Sequence, residues 1–568
     1  MRLTPLLFAA IPPLQASDPP PLTVFTARAI RTMEDSMPLA TAVAVDDGRI
    51  VAVGTLESLQ PWIDERSATI DDRYSEHVLL PGFIDPHVHP SLPAILTRFP
   101  FLAPDSWSLP TGEFPGATTP DAYVAALRRL VEAHESKDEP LIAFGYHPLW
   151  HGTLTRSDLS EMFPSTPVIL WHRSFHELYV NDRAIEWIGV TEADFADEPE
   201  ADWANGHFWE NGAKHVVGRI QAYLVDPEHY AAGMGVFVEM AHQAGVTTCL
   251  DMGIGIFGDA AGEIELIRSA IEDNDAPLRE VLTPIITDFL SRGRSPEQAL
   301  EEIRGWQATN SPRVRVENHF KLMMDGAIFS GLAQMGRPGY LDGHDGIWMS
   351  PLDVTEAWAK YFWDRGFQLH AHANGDASVA ALISIVRRLQ VDHPRVDHRA
   401  TLEHFAYVTE TQCRNLAGMG MLVSANPYYH YILSDIYAER WLGRDRGHNM
   451  VRLGSLERLG VPFALHSDCP MAPLDPLRLA ACATRRVTIN GNRTGQLERA
   501  SLEASLRAIT IDAAFVMGWE DEIGSIAAGK RADFVVLDAD PLDVGVDGLE
   551  ALEVIATIFE GSVAPVER

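Results

Sequence analysis

Two pairs of histidines, each with one residue between them, are the strongest candidates for chemistry in this chain. His87 and His89 follow an apolar run that begins at Leu79, and His370 and His372 form the second pair. Side chains alternate along a strand, so both histidines of a pair point to one face and can bind one metal ion. Because chance alone yields about one such pair in a chain this rich in histidine, the spacing needs support from other residues.

Other side chains that can bind a metal stand at the ends of later apolar runs. His404 and Asp468 each end such a run, and Lys321 lies inside another. Imidazole and carboxylate ligands suit Zn²⁺ or a similar divalent ion. The four cysteines form neither a C-x-x-C motif nor a disulfide framework, and Cys469, next to Asp468, is predicted to pack rather than to act as a nucleophile.

Apolar runs alternate with amphipathic stretches through the middle of the chain, which predicts a parallel sheet and an α/β fold. The extent of this pattern suits a (β/α)₈ TIM-like barrel with insertions, whose chemistry lies at the carboxyl ends of the strands. The polar residues named above occupy such ends. The predicted strands include residues 141–144, 168–171, 246–250, 319–324, 368–372, 421–424 and 461–465, and the predicted helices include residues 121–133, 230–244 and 379–389.

Both ends of the chain are predicted to form one small β domain. Short apolar runs with turns between them fill residues 22–70, and the turn Asp46-Asp47-Gly48-Arg49 is typical of a β-hairpin. A matching segment, residues 524–538, lies near the other end, and neither end is long enough for a core of its own. The predicted domains are a composite β-sandwich of residues 22–78 and 521–568 and a barrel of residues 79–520.

The composition is that of a globular protein with more than one core. At 568 residues the chain exceeds an ordinary single domain, and 46% hydrophobic with 22% charged residues is typical of a soluble fold. The formal net charge of −34 argues against nucleic acid and anionic membranes as partners. The chain has no apolar run of transmembrane length.

Residues 1–21 are predicted to be a leader or a disordered lead-in. Residues 1–17 carry a single Arg before a short apolar segment, and Leu14 stands where a secretory cleavage site requires a small residue. This weak signal favours the cytoplasm, although Pro12 and Pro13 are compatible with a cleavage site and leave export open. The prolines at 19–21 favour disorder in either case.

The string P-G-F-I-D-P-H-V-H at residues 81–89 resembles the first-strand signature of the amidohydrolase superfamily. Over residues 22–545 the chain is similar to the metal-dependent branch of that superfamily that includes N-substituted formamide deformylase. The further motifs that carry the resemblance are H-A-N-G-D at 372–376, E-H at 403–404, S-D-C-P at 467–470 and G-S-I-A-A-G-K-R-A-D at 524–533.

The resemblance implies a centre for one or two divalent ions, with Zn²⁺ as the expected metal. Lys321 would react with CO₂, and its carbamate would bridge two ions; without that modification one ion is expected. Asp468 would both bind a metal and take a proton from the attacking water. The implied ligands are His87, His89 and Asp468 for the first ion and His372 and His404 for the second, with Lys321 shared between them.

The resemblance also implies roles for residues around these ligands. His176 would face the substrate and stabilise an oxyanion as a second catalytic residue. Independently of the resemblance, Asp251 follows the predicted strand 246–250 and is expected to orient a ligand histidine through a hydrogen bond, with a weaker expectation for Glu210. His370 would be a bystander, because its neighbour His372 is the one that matches the family motif.

The implied reaction is hydrolysis, by metal-activated hydroxide, of a carbon–nitrogen bond in a non-peptide amide, namely an N-acyl or N-formyl amine. The small-molecule substrate is expected to carry an apolar or aromatic group, because residues 146–151 and 426–431 are aromatic and rich in histidine and are predicted to be loops at the pocket. The chain departs from the family at Asn426, where Gln is expected, and in the loop 331–340.

Two other functions stay open at this point. An ester, lactone or carbamate hydrolase would use the same site on a different bond. A non-catalytic scaffold would keep the barrel without its chemistry, although a complete set of ligand residues argues against that. The sequence also leaves a homo-oligomer open.

Overall fold

The computed structural model describes residues 22–136, 138–255 and 259–566. Its centre consists of parallel strands that are buried along their whole length, as expected where helices cover both faces of a sheet. These strands are β1 (Phe83–Val88), β2 (Val246–Ile254), β3 (Arg279–Pro284), β4 (His319–Met323), β5 (Gln368–Ala373), β6 (Thr401–His404), β7 (Leu422–Ala425) and β8 (Phe463–Leu465).

The central strands pair in chain order. Strands β1, β2 and β3 form one parallel sheet with Val314–Val316 at its edge, and β4 to β8 form a second parallel sheet. A parallel bridge between Ile285 and Lys321 links β3 to β4. Together with the comparisons reported below, this order indicates a TIM-barrel-like α/β fold, while a fully closed (β/α)₈ barrel stays a prediction.

Helices follow most of the central strands and cover them. Their boundaries carry ordinary start signals: Thr119, for example, caps the first long helix with its side chain, and a proline follows at the first helical position. The helices of ten residues or more in the described ranges are Pro120–Ala133, Glu210–Leu224, Pro227–Gln243, Pro296–Gln307, Leu352–Trp363, Asp376–Asp392, Glu410–Met419, Tyr428–Arg440 and Pro476–Arg485.

Two of the predicted barrel strands belong elsewhere, and one barrel strand was missed. Leu141–Tyr146 and Val168–His172 lie in a separate five-stranded sheet, inserted between β1 and β2, with Glu177–Val180, Ala201–Asp202 and His207–Trp209. Short buried runs look alike in either sheet, so their pattern did not distinguish them. Strand β3 was not predicted, because its first two residues are the charged pair Arg279-Glu280.

Strands from both chain ends share one eight-stranded sheet, as the sequence predicted. The hairpin turn has positive φ at Asp47 (47°) and Gly48 (72°), which two-residue turns of this kind require. The β-sandwich and the domain boundaries stay predictions. The strands of this sheet are Thr23–Arg31, Leu39–Asp46, Arg49–Gly54, Thr69–Asp71, Val78–Pro81, Phe534–Leu537, Val554–Phe559 and Ser562–Pro565.

A buried ion-pair network fastens this sheet to the central strands. Arg279 at the start of β3 donates to Asp533 and to Glu560, at 2.9 Å in each case. All four cysteines are buried and unbonded, in agreement with the sequence. In the ranges that the structure covers, no helix has the length and apolar character needed to cross a membrane. The leader predicted at residues 1–21 lies outside the described residues.

Candidate metal centre

Main-chain hydrogen bonds join the end of β1 to the turn after β8. The amide of Asp468 donates to the carbonyl of His87 at 2.9 Å, and the amide of His89 donates to the carbonyl of Cys469 at 3.3 Å. Asp468 itself has a φ of 55°, a conformation that L-residues avoid and that costs about 1–3 kcal/mol. Asp468 thus adopts an unfavourable backbone conformation that places its carboxylate beside His87 and His89.

Three of the predicted ligands have the spacing of a tetrahedral metal site. Asp468 Oδ1 lies 3.4 Å from His89 Nε2 and 3.5 Å from His87 Nε2, and the three donor atoms form one cluster. Two ligands with bonds of about 2.0–2.1 Å to one tetrahedral zinc lie about 3.3 Å from each other. The residues present therefore fit a zinc-sized ion.

A second cluster combines His87 with His404 and His466, and His466 was not predicted. His404 Nδ1 contacts the hydroxyl of Tyr429 at 3.2 Å, and His466 Nδ1 contacts the hydroxyl of Ser424 at 2.7 Å. The Nε2 atoms of both histidines are buried and have no hydrogen-bond partner among the described residues. Buried nitrogens without partners are rare, and a bound cation is one explanation for them.

Lys321 lies in the same cluster of polar groups. Its Nζ is 3.3 Å from His87 Nε2, and its side chain is buried. Burial lowers the pKa of Lys321 to about 8, although the nearby carboxylates of Glu403 and Asp468 oppose the change. A lowered pKa increases the fraction of neutral amine, which is the form that can react with CO₂.

The two histidines of the second pair have different surroundings, and which of them binds a metal stays a prediction. The His372 ring lines the cavity, 4.3 Å from the His404 ring, but its Nε2 lies 2.8 Å from Asn374 Nδ2. Coordination through Nε2 would have to replace that contact. His370 is not among the residues described as lining the cavity, and its two ring nitrogens contact Glu403 and His319.

His176 lies on the cavity wall, and Glu210 contacts its ring. Its Nδ1 is 3.0 Å from one oxygen of Glu210 and 3.1 Å from the other. The neighbouring Phe175 and Glu210 both have positive φ, 69° and 43°. Burial alone would lower the pKa of His176, but the charge of Glu210 and its hydrogen bond outweigh burial, so the pKa is raised.

Asp251 does not make the hydrogen bond predicted for it. Its Oδ1 lies 3.8 Å from His89 Nδ1, beyond hydrogen-bond distance, and His89 Nδ1 has no partner among the described residues. The carboxylate accepts instead from the amide of Gly253 at 3.0 Å. The strand bulge at this point turns Asp251 toward its own main chain.

Two residues around the ligands, Asp85 and Glu403, were not predicted. Asp85 accepts from the amides of His87 and Ser467, at 3.2 Å and 3.1 Å, and so joins β1 to the turn after β8. Glu403 accepts from His87 and Tyr429 contacts His404. Asp85 and Glu403 each stand in a quoted motif within two residues of a predicted ligand, but nothing in the sequence says where their side chains point.

A cavity of about 210 Å³ opens above these residues. Of the two aromatic segments predicted to shape it as loops, Tyr429 alone is among its described lining residues, and Tyr428–Arg440 is a helix rather than a loop. Asn426 is structural: it donates to the carbonyl of Ser467 at 2.9 Å. The apolar wall comes from other residues, namely Leu92, Phe175, Val217, Met252, Ile285, Ile328, Phe329 and Met349.

Parallel strands with ligand-type residues at their carboxyl ends indicate a TIM-barrel-like α/β fold, and known structures have a similar fold. An uncharacterised metal-dependent hydrolase from Pyrococcus horikoshii superposes with a TM-score of 0.70 at 18% identity, covering 93% of this chain and 99% of that one. An adenosine deaminase from Xanthomonas campestris with bound zinc gives a TM-score of 0.55 at 15% identity, covering 97% of this chain and 94% of that one.

The sequence comparisons are more specific than the fold. Residues 76–565 match the Amidohydrolase family, and the chain belongs to that family. The N-substituted formamide deformylase of Arthrobacter pascens is 25% identical over 563 residues, which cover 94% of this chain and 96% of that protein. The resemblance read from the sequence is confirmed, and the protein is an enzyme that hydrolyses carbon–nitrogen bonds other than peptide bonds.

Proposed function

We propose that this amidohydrolase uses a divalent metal, zinc in the first instance, to cleave the carbon–nitrogen bond of an N-acyl or N-formyl amine. The observation that carries the proposal is the spacing of His87 Nε2, His89 Nε2 and Asp468 Oδ1, at 3.4–3.5 Å from the carboxylate oxygen to each nitrogen. An ion bound there would lower the pKa of a water molecule and polarise the carbonyl of the substrate. The relative named as a formamide deformylase supports the choice of an N-acyl amine.

Asp468 is suited to move the proton. Its Oδ1 faces the two histidines, whereas its Oδ2 lies 3.4 Å from the hydroxyl of Tyr429 and 3.6 Å from His404 Nδ1. Oδ2 can therefore accept a proton from water and return it to the departing amine nitrogen. The Tyr429 hydroxyl keeps the carboxylate in this orientation by donating to Oδ2.

His176 is suited to stabilise the negative charge that develops on the carbonyl oxygen. Glu210 holds its Nδ1–H, so a protonated ring has its Nε2–H free to donate elsewhere. The raised pKa favours that protonated form. A fixed donor that faces a cavity of mostly apolar surface is the arrangement that oxyanion stabilisation requires.

The cavity supports an apolar or aromatic group on the substrate. Its surface is mostly apolar, with side chains such as Phe175, Phe329, Ile328 and Met349, and its polar lining includes Asp468 and His89. A ligand pocket of this kind binds an apolar body while a few polar groups orient the reacting bond. The proposed substrate is a small amine whose acyl or amine part carries a ring or an alkyl chain.

Lys321 would decide the number of ions. A carboxylated Lys321 could hold a second ion together with His404 and either His372 or His466, whose rings lie 4.3 Å and 5.3 Å from the His404 ring. An unmodified lysine would leave one ion at His87, His89 and Asp468. Both forms serve the proposed reaction.

Matched substrates and metal removal test the proposal. The purified enzyme is assayed on N-formyl- and N-acetyl-benzylamine and on the corresponding benzyl esters, before and after chelation and after return of zinc. We expect amide turnover that chelation abolishes and zinc restores, with Asp468→Asn inactive. Asp435→Asn, which changes a carboxylate bound to Thr488 and Asn492 away from the cavity, should retain activity. Turnover of esters alone, or undiminished activity in the metal-free enzyme, would refute it.

A further inference from the structure

A chain of buried polar side chains leads away from His87 into the interior. His87 Nδ1 lies 2.7 Å from Glu403 Oε2, and His370 Nδ1 lies 2.7 Å from Glu403 Oε1. The chain continues from His370 Nε2 to His319 Nδ1 at 3.0 Å. His87, Glu403 and His370 have no exposed surface and His319 is 5% exposed, so water does not compete for these contacts.

Glu403 determines which nitrogen of His87 faces the ligand cluster. A carboxylate oxygen at 2.7 Å favours the proton on Nδ1, so the Nε2 lone pair faces the ligand cluster, where Lys321 Nζ lies 3.3 Å away. That Nε2 is the atom 3.5 Å from Asp468 Oδ1. The carboxylate therefore sets both the tautomer and the plane of the His87 ring.

His370 holds the other oxygen of Glu403. Without it, Glu403 Oε1 would lose the donor at 2.7 Å, and the carboxylate could rotate about its side-chain bonds. His319, the first residue of β4, fixes the His370 ring in turn. The residue that the sequence marked as a bystander thus occupies the centre of this chain.

We infer that Glu403 is a positioning residue for the metal centre, and that His370 and His319 act by holding Glu403. The inference rests on the proposed function, because it requires a cation at His87. Carboxylates that hydrogen-bond to a ligand histidine raise the basicity of the ring and fix its direction, and their loss weakens metal binding by about 10–100-fold. The effect should decrease along the chain from Glu403 to His319.

Zinc affinity of the metal-free protein, measured by competition with a chromophoric chelator, tests this inference. Glu403→Gln keeps the shape of the side chain but puts an amide where one acceptor stood, and we expect a zinc Kd about 10–100 times higher. His370→Phe should also weaken binding. His370→Asn, whose amide can replace the Nδ1–H donor to Glu403, should restore most of it. The visible spectrum of the cobalt-substituted enzyme should shift in Glu403→Gln, because the ligand field at His87 changes.

His398→Phe is the matched control. His398 is a buried histidine with both ring nitrogens bonded to main chain, to Met419 and Ala400, away from the cluster. Its replacement should leave zinc affinity unchanged, and the thermal midpoint of each metal-free variant shows whether it folds. Wild-type affinity and an unshifted cobalt spectrum in folded Glu403→Gln and His370→Phe would overturn the inference. Absence of zinc binding by the wild type would instead overturn the proposed function.

Discussion

Arg173 donates from Nη2 to the main-chain oxygen of Met471 at 2.8 Å. It also donates from Nη1 to the oxygen of Pro470 at 3.0 Å, and its guanidinium is completely buried. Arg173 directly follows the inserted strand Val168–His172, whereas Pro470 and Met471 follow Asp468. The inserted sheet therefore supports the turn that carries the proposed catalytic carboxylate.

Replacing Arg173 should destabilise the protein and disturb the site together. Arg173→Met removes two donors to the turn and leaves the buried Asp105 carboxylate without its cation, so we expect a loss of about 3–5 kcal/mol in the free energy of unfolding. Denaturant unfolding measures this loss, and zinc content should fall as well. Arg156→Met breaks a partly exposed pair with Asp182 and should cost about 0–1 kcal/mol. Equal losses of unfolding free energy in Arg173→Met and Arg156→Met would contradict the proposal that Arg173 supports the turn after Asp468.

Changing Lys321 should change the number of bound ions. Lys321→Arg keeps the positive charge but cannot form a carbamate, so if the wild type proves to hold two ions, metal analysis of the variant should show one ion per chain. Labelled bicarbonate should give a carbamate carbon resonance in the wild type alone. Lys360→Arg, at an exposed pair with Asp392, should bind the wild-type amount of metal. One ion in the wild type, with no carbamate signal, would establish a single-metal centre.

The sequence predicted the site residues whose position follows from a single strand. It missed several residues whose position depends on how neighbouring strands align. His87 and His89 share a strand end, and their spacing allowed them to be paired once the surrounding motif and other ligand-type residues supported it. Asp468 could be added because the carboxyl ends of parallel strands meet at one face. Glu403 and His466 were missed because the direction of a side chain depends on the register of neighbouring strands, such as His372 opposite Glu403. Composition carries no information about that register.

Replacing His176 should slow turnover without weakening substrate binding. In the proposed reaction His176 acts on the charge that develops on the carbonyl oxygen, so His176→Gln should lower kcat by about 10²–10³-fold with little change in KM. Glu210→Gln should give a smaller decrease and a lower apparent pKa in the pH profile, because Glu210 favours the protonated ring. His229→Gln, on the surface, is the control. An unchanged kcat in His176→Gln would exclude the oxyanion role.

Glu280 should make the protein less stable as the pH rises. Burial, with a smaller effect of Glu263, raises the pKa of Glu280 to about 8, and neither of its carboxylate oxygens has a hydrogen-bond partner among the described residues. The folded protein therefore retains a proton that the unfolded chain releases near its ordinary pKa of about 4.3. Between these two pKa values folding takes up a proton, so each pH unit removes up to about 1.4 kcal/mol of stability. From pH 5 to pH 9 the free energy of unfolding of Glu280→Gln should increase relative to that of the wild type. Glu503→Gln, which changes a surface residue, should show no such increase. A difference between Glu280→Gln and the wild type that is independent of pH would contradict the raised pKa of Glu280.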